Sequence, residues 1–342
     1  MNPTTAVAIS GGVDSLMAAY LLKQQGHHVI GIHFLTGFES KPLNIEAVAE
    51  QVGIPCRIID IGSAFKEKVV DYFVKTYLDG KTPNPCLVCN PSIKFELIFE
   101  YARSLGATQI ATGHYARINR SIDGRYHLLR GVDQVKDQSY FLAFLNQKLL
   151  ARAHFPLGSI CKNDVRQMAA ARGMQPAASN ESQDVCFIKG QSYGDFLMQK
   201  TEFKPVAGDI VNQKGVILGR HPGLHLFTIG QRRGINIPAT EPYYVLRLDR
   251  KNNRLVVGCK ADTLSRQCRV EKLNWIQPTP AKPVRVHTRV RYRHRAVPSM
   301  LYPSGHSEAI VRFDQPQSAV APGQGAVFYK GEEVLGGGFI CG

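Results

Sequence analysis

No apolar run in this 342-residue chain approaches the ~20 residues that a membrane-crossing helix needs, so no membrane span is expected. The amino terminus leads from Met1 to Thr5 straight into an apolar run, and no signal peptide is expected. No long internal repeat and no low-complexity tail is present, which sets aside solenoids and disordered scaffolds. Eight cysteines are spread too widely for a disulfide framework, so a reducing cytoplasm is the expected compartment. Acidic charge is scarce. The 27 Asp and Glu face 42 Lys and Arg, a formal charge of +15 that suits a polyanionic partner, most simply nucleic acid. Hydrophobic content of 44% and charged content of 20% are otherwise ordinary for a globular chain with room for two or three domains.

The most informative segment present is Ser10-Gly11-Gly12-Val13-Asp14-Ser15, directly after Ala6-Val7-Ala8-Ile9. A buried strand ending in a Ser/Gly loop, followed by a helix-forming run from Leu16 to Gln25, makes an anion cradle. Two glycines admit close backbone approach, and first-turn amides of the helix point at negative charge. The serines add donors, and Asp14 could orient them or approach a metal. The Lys that ends a Walker loop is missing. The segment resembles the pyrophosphate loop of ATP pyrophosphatases, which cut ATP between its α and β phosphates and adenylate a substrate oxygen.

The first half alternates strand and helix patterns. Apolar runs at Val29–Phe34, Cys56–Ile61 and Gln109–Thr112 alternate with helical stretches near Leu16–Gln25, Ile45–Val52, Ala64–Leu78 and Ile93–Leu105. Gly26, Gly53 and Gly106 stand where helices should stop. The expectation is an α/β doubly wound parallel sheet with ligands at the carboxyl ends of its strands. Arg152 to Met198 reads as mostly helical. After Lys204, short alternating runs with Gly and Pro take over at Gly215–Gly219, Tyr243–Leu248 and Leu255–Val257, the pattern of small β domains. Pro278, Pro280 and Pro283 precede a last β module. The expected division is a nucleotide domain with a helical extension over 1–200, a small central β domain over 201–266, and a β-barrel over 267–342.

Within that last module Arg285, His287, Arg289, Arg291, Arg293 and Arg295 fall at every second position. On one continuous strand they would share a face at a repeat of about 6.7 Å, near the phosphate spacing of a nucleic-acid strand. Two cysteines also have a distinctive setting. Cys86 and Cys89 form a C-x-x-C pair just before a helix expected near Ser92, where a helix amino terminus would stabilise a thiolate. Such a pair can be redox-active, bind half a zinc site, or ligate an iron–sulfur cluster. No second C-x-x-C exists, which argues against a four-cysteine zinc site. Cys186, in Ser182-Gln183-Asp184-Val185-Cys186-Phe187, would read alone as a core cysteine.

Taken together, the chain resembles the tRNA-specific 2-thiouridylases of the pyrophosphate-loop class. The match runs through Ser10–Ser15, Asn84-Pro85 with Cys89-Asn90, Ile93-Lys94-Phe95, and Ala111 to Arg117. It continues through Lys136 to Leu142, Cys186-Phe187-Ile188, Gly219 with His221 and Gly223, Thr228 to Arg232 with Gly234, Arg291-Tyr292-Arg293, and Pro322-Gly323-Gln324. The resemblance implies three layers: a nucleotide domain like the adenine-nucleotide α hydrolases, a central β domain and a carboxyl-terminal barrel. It implies adenylation of the 2-carbonyl oxygen of a wobble uridine, then sulfur transfer from a persulfide on Cys186, with Cys89 as partner thiol and a Cys89–Cys186 disulfide as product. ATP would be held by Ala8, Ile9, Ser10, Gly11, Gly12, Val13, Asp14 and Ser15, with Phe34 near adenine, Gly113 close by, and Mg2+ on the phosphates. Asn84, Pro85, Cys86, His114, Lys136, Asp137, Gln138, Arg291, Tyr292 and Gln324 would touch tRNA. A sulfur-relay protein or cysteine desulfurase would supply the persulfide, and a cytoplasmic monomer is expected.

The match departs from the family at two places. The usual Asp is replaced by Cys86, and the segment after Phe34 is short and lacks an acidic, Trp-containing stretch. Four alternatives stay open here: Cys86, Cys89 and Cys186 as ligands of a [4Fe–4S] cluster; an amide- or guanidine-forming ATP pyrophosphatase acting on a small metabolite; an RNA-binding protein with a vestigial loop; and a different thiolated position or substrate, signalled by Cys86.

Overall fold

The alternating runs of the first half form a parallel sheet in the computed structural model, which describes residues 3–39, 43–177, 185–200 and 204–341. β1 (Thr4–Ala8) leads into α1 (Val13–Gln24), β2 (His28–Leu35), α2 (Ile45–Glu50) and β3 (Cys56–Asp60). There follow α3 (Gly62–Phe65), α4 (Asp71–Leu78), α5 (Pro85–Cys89), α6 (Ile98–Ser104) and β4 (Gln109–Ala111). Two π-helical stretches, Lys66–Val70 and Asn90–Leu97, join α3 to α4 and α5 to α6. A hairpin, β5 (Ala116–Arg120) and β6 (Tyr126–Arg130), precedes α7 (Gln147–Leu150) and β7 (Ala153–His154). The sheet order is β3-β2-β1-β4-β7, parallel throughout. It reverses direction between β1 and β4, which opens a crevice at their carboxyl ends.

Successive residues of β1 serve opposite faces, as strand geometry requires. Val7 and Ile9 pack with Leu16, Met17 and Val48, whereas Ala6 joins Ile32, Ile110, Phe65 and Phe73 on the other face. The stop signals hold: Gly26, Gly53 and Gly106 take left-handed φ of 84°, 63° and 86° just past their helices. The helix expected near Ser92 begins earlier, at Pro85, whose fixed φ and missing N–H suit the first helical position. Between Arg152 and Met198 the described helices are α8 (Lys162–Ala170) and α9 (Tyr193–Lys200), so this stretch is less helical than its pattern suggested. Ser182, Gln183 and Asp184 lie outside the described residues.

Beyond Lys204, β8 (Gly208–Val211), β9 (Ile217–His221), β10 (Tyr244–Asp249) and β11 (Arg254–Gly258) form a sheet in the order β10-β11-β8-β9. The last six strands are β12 (Leu264–Trp275), β13 (Val284–Arg289), β14 (Val297–Ser304), β15 (Glu308–Ser318), β16 (Gly325–Lys330) and β17 (Glu333–Cys341). They run in the order β12-β15-β14-β13-β16-β17, and β12 pairs with β17 to close a barrel. β17 also pairs with β6, so the β5–β6 hairpin of the first half extends the barrel's own sheet.

The run of alternate basic residues is not one strand. β13 ends at Arg289, and Arg291, Arg293 and Arg295 follow in turns and bends. Val286 and Thr288 do face inward. Arg289, however, reaches Asp137 at 3.3 Å and donates to the Tyr292 carbonyl, turning the chain back on itself. Arg285 is engaged by Asp314 at 2.9 Å. A side chain that bonds the carbonyl three residues on holds a turn at this point, and the residues after Arg289 leave the line of β13.

Candidate active site

The loop after β1 is held in shape by its own serines. Ser15 Oγ accepts the Ser10 amide at 3.2 Å, bonds Ser10 Oγ at 3.2 Å and donates to the Gly12 carbonyl at 2.9 Å. Gly11 takes φ 82°, and Gly12 is the N-cap of α1 without a side chain over the helix end. First-turn amides have no intrahelical partner, so they face the crevice as anion donors. Ala8 and Ile9 lead into this turn, and Val13 starts the helix. Gly113, just past β4, lies against it: a Cβ there would stand 2.8 Å from the Asp14 carbonyl carbon and 3.0 Å from the Ser15 nitrogen. Phe34 sits with Ile32 on the face of the sheet away from α1.

The Asp14 carboxylate is engaged within the protein. Both of its carboxylate oxygens accept from Lys162 Nζ at 2.7 Å, and Oδ1 also accepts from the Tyr115 hydroxyl at 2.8 Å. A carboxylate held this way by an ammonium does not fit the role of a cation ligand.

The second half of the site is built on α5. Cys86 and Cys89 sit in its short ladder, and Cys186 lies in a turn facing them, close enough that charge on Cys186 would raise both other thiols. Burial pushes Cys86 up to about 11 and Cys89 up to about 12, and Lys94 is the charge that opposes it. Burial also raises Cys186, although its surface reaches solvent. The thiolate expected from the helix amino terminus is therefore overturned: desolvation outweighs the end of a five-residue helix. All eight cysteines are free thiols. Among the described residues no three His, Cys, Asp or Glu side chains converge to hold a metal ion, so the three-thiol set does not fit a cluster as it stands.

Lys94 owes its place to the π stretch. Pro91 has no N–H to continue an α ladder, and the bonding shifts to i→i+5, as from Ile98 to Ile93. In that register residue 94 stands one turn above Cys89, where an α-helix would put Ile93. Its charge also helps lower His114, which burial keeps neutral well below its usual range. His114 Nδ1 bonds Thr112 Oγ1 at 2.7 Å.

The barrel holds the cysteine helix from outside. Gln324 Nε2 donates to the carbonyls of Thr82 and Pro83 at 3.2 and 3.1 Å, and the Thr82 amide donates to Pro322 at 2.7 Å. Asn84 and Pro85 are buried beneath this contact. Asn90 donates to the Phe141 carbonyl at 2.9 Å. Of the residues expected to touch tRNA, Asp137 has its carboxylate engaged within the protein. It is 3% exposed, accepts the Gly131 and Ser139 amides at 3.1 and 3.0 Å, and pairs with Arg289. Its placement makes it a strut of the Lys136–Leu142 segment and not a surface contact. Gln138 likewise accepts the Tyr115 amide at 3.0 Å. Lys136, Arg291 and Tyr292 are half-buried, with the Tyr292 ring 4.2 Å from that of Phe141. Lys94, Tyr115 and Lys162 carry no assignment from the sequence. Lys94 and Tyr115 stand in motifs already noted, but nothing marks Lys162.

A parallel α/β domain with a serine–glycine anion loop, fused to a small sheet and a closed barrel that grips a cysteine-bearing helix, defines a PP-loop nucleotide-dependent enzyme with appended β modules. Family models match along the whole length: a tRNA methyl transferase HUP domain over residues 3–190, a tRNA methyl transferase PRC-barrel domain over 194–259, and an aminomethyltransferase β-barrel domain over 265–340. Curated relatives agree. The tRNA-specific 2-thiouridylase MnmA of Desulfosudis oleivorans is 50% identical over 99% of this chain and 95% of its own. Those of Geotalea uraniireducens and Synechocystis are each 43% identical, over 98% and 100% of this chain and 94% and 98% of theirs. The chain belongs to the tRNA-specific 2-thiouridylase family.

Proposed function

We propose that this protein catalyses ATP-dependent 2-thiolation of the wobble uridine of tRNA, using a persulfide on Cys186. The reading rests on one juxtaposition: Cys89 and Cys186, from distant parts of the chain, lie within reach of each other and of Lys94, and Lys94 acts on His114, the neighbour of the Gly113 that packs against the anion cradle. The cradle would hold the phosphates of ATP, with magnesium carried on those phosphates. The uridine 2-oxygen attacks the α phosphorus, pyrophosphate departs, and the oxygen becomes part of an AMP leaving group. The terminal sulfur of the Cys186 persulfide then attacks carbon 2 and AMP leaves. The Cys89 thiolate attacks the Cys186 sulfur, which releases the thiocarbonyl and leaves a Cys89–Cys186 disulfide. A dithiol reductant restores the pair, and a sulfur-relay protein or cysteine desulfurase in the cytoplasm reloads Cys186. Lys94 supplies the positive charge each thiolate needs in a desolvated site. Arg291, Tyr292 and Lys136 offer tRNA contacts, with Gln324, Asp137 and Gln138 shaping the surface from behind. No step runs through an iron–sulfur cluster.

The test is mass spectrometry of tRNA nucleosides from cells lacking this gene. Loss of wobble 2-thiouridine, restored by the intact gene, is expected. Unchanged 2-thiouridine would overturn the substrate assignment.

A further inference from the structure

Lys162 is a buried cation in contact with the nucleotide loop, and the chemistry above does not use it. Its side chain is 4% exposed, at the first residue of α8, where α8 packs on α1 through Val165, Ala169, Leu16 and Met17. The ammonium is shared between both Asp14 oxygens at 2.7 Å, and it stands 5.8 Å from the centre of the Tyr115 ring. The Tyr115 hydroxyl completes the grip on Asp14 at 2.8 Å. Asp14 is the second residue of α1, so fixing its side chain fixes the turn whose amides face the crevice.

We propose that Lys162 is a positioning residue of the nucleotide site, holding Asp14 and with it the first turn of α1 in the anion-binding arrangement. The proposal rests on the ATP reading and deepens it. An orphan amide attracts phosphate only if it points at the right place before the ligand arrives, and preorganisation of this kind appears as affinity. The loop's serine bonds fix its internal shape but not its angle to the sheet. Gly113 limits approach from one side, and the Asp14–Lys162 pair sets the position from the other. The opposite end of the strut is anchored too: the Lys162 amide donates to Asp133 Oδ2 at 3.0 Å, and Asp133 Oδ1 caps the turn carrying Val135 and Lys136.

The test is equilibrium binding of a non-hydrolysable ATP analogue and, separately, of tRNA. Lys162→Met should weaken analogue binding at least about 10-fold while tRNA affinity without nucleotide stays within a factor of about two, and Lys162→Arg should recover part of the loss. Asp14→Asn and the double variant Asp14→Asn/Lys162→Met should lose the same factor, because one group acts through the other. The double variant leaves no buried charge unpaired, so it serves if Lys162→Met alone fails to fold. Analogue binding near the parent value, equal losses for analogue and tRNA, or additive losses in the cycle would each overturn the proposal. Failure of the parent protein to bind the analogue would instead remove the ATP reading on which it stands.

Discussion

Cys86 stands where the family resemblance leads one to expect an Asp, and its surroundings assign it a lesser role than its neighbours. Cys86 and Cys89 share one helix and one cation, but the redox pairing needs only Cys89 and Cys186. Cys86→Ser should therefore retain thiolation within a few-fold of the parent, whereas Cys89→Ser and Cys186→Ser should each reduce it more than about 100-fold. Thiolated tRNA counted by nucleoside mass spectrometry separates these outcomes. Equal loss in all three would return the cluster to consideration. Lys94 gives a second prediction with a definite sign. Burial raises the three thiols and Lys94 lowers them, so Lys94→Met should shift the alkylation profiles of Cys89 and Cys186 to higher pH. At pH 8 alkylation should slow by roughly threefold to 10-fold, in line with loss of one nearby charge. An unchanged profile would show that Lys94 does not face the thiols in solution. The C-x-x-C pair was legible in the sequence; its protonation state was not, because desolvation depends on what covers a helix, and part of that cover comes from Cys186 and from the barrel, far along the chain.

At the scale of elements, the nucleotide loop was the most legible part of the chain. Strand, Ser/Gly turn and helix are contiguous, so local pattern alone places them, and Ala8 to Ser15 lie where the pattern put them. Gly113 extends the same argument across the switch point between β1 and β4. With the Asp14 backbone 2.8 Å from where its Cβ would be, Gly113→Ala must push the first turn of α1 outward. Overpacking of this kind costs about 1–3 kcal/mol, and nucleotide affinity should fall about 10-fold or more while tRNA affinity holds. Calorimetric titration with an ATP analogue checks it. The basic strand was misread for the complementary reason. Period-two spacing is a local signal, but Arg289 finds Asp137 from a loop 152 positions earlier and the chain turns there. The π stretch was equally hidden. Pro91 signals a break in the helix, but only the resulting i→i+5 register shows that the break brings Lys94 over Cys89.

The whole molecule is tied together more closely than three modules in sequence would suggest. The core beneath the nucleotide domain draws Ile276, Val327, Tyr329 and Val334 from the barrel to pack with Phe95, Leu128, Tyr140 and Leu145. The β6–β17 pairing carries this junction, flanked by His127 Nδ1 against Glu333 at 2.6 Å, Arg130 Cζ 4.1 Å over the Tyr329 ring, and the Tyr140 hydroxyl on the Gly325 carbonyl at 3.0 Å. None of these flanking contacts could be read from local pattern, since His127 with Glu333 and Tyr140 with Gly325 join residues 206 and 185 positions apart. They predict that the first module and the barrel unfold as one unit. Val334 is 0% exposed at the centre of the junction, so Val334→Asp would bury a carboxylate with no partner, a change costing several kcal/mol. Thermal unfolding of that variant, followed by far-UV circular dichroism, should show helical and strand signals lost together at a lower Tm. A fragment ending at residue 200 should show loose packing and dye-accessible apolar surface, because Leu128 and Tyr140 would lose the side chains that cover them. If the fragment instead melts cooperatively at the temperature of the intact chain, the barrel is an appendage to a self-sufficient domain, and the grip of Gln324 on Thr82 and Pro83 would be a surface contact with no hold on the cysteine helix.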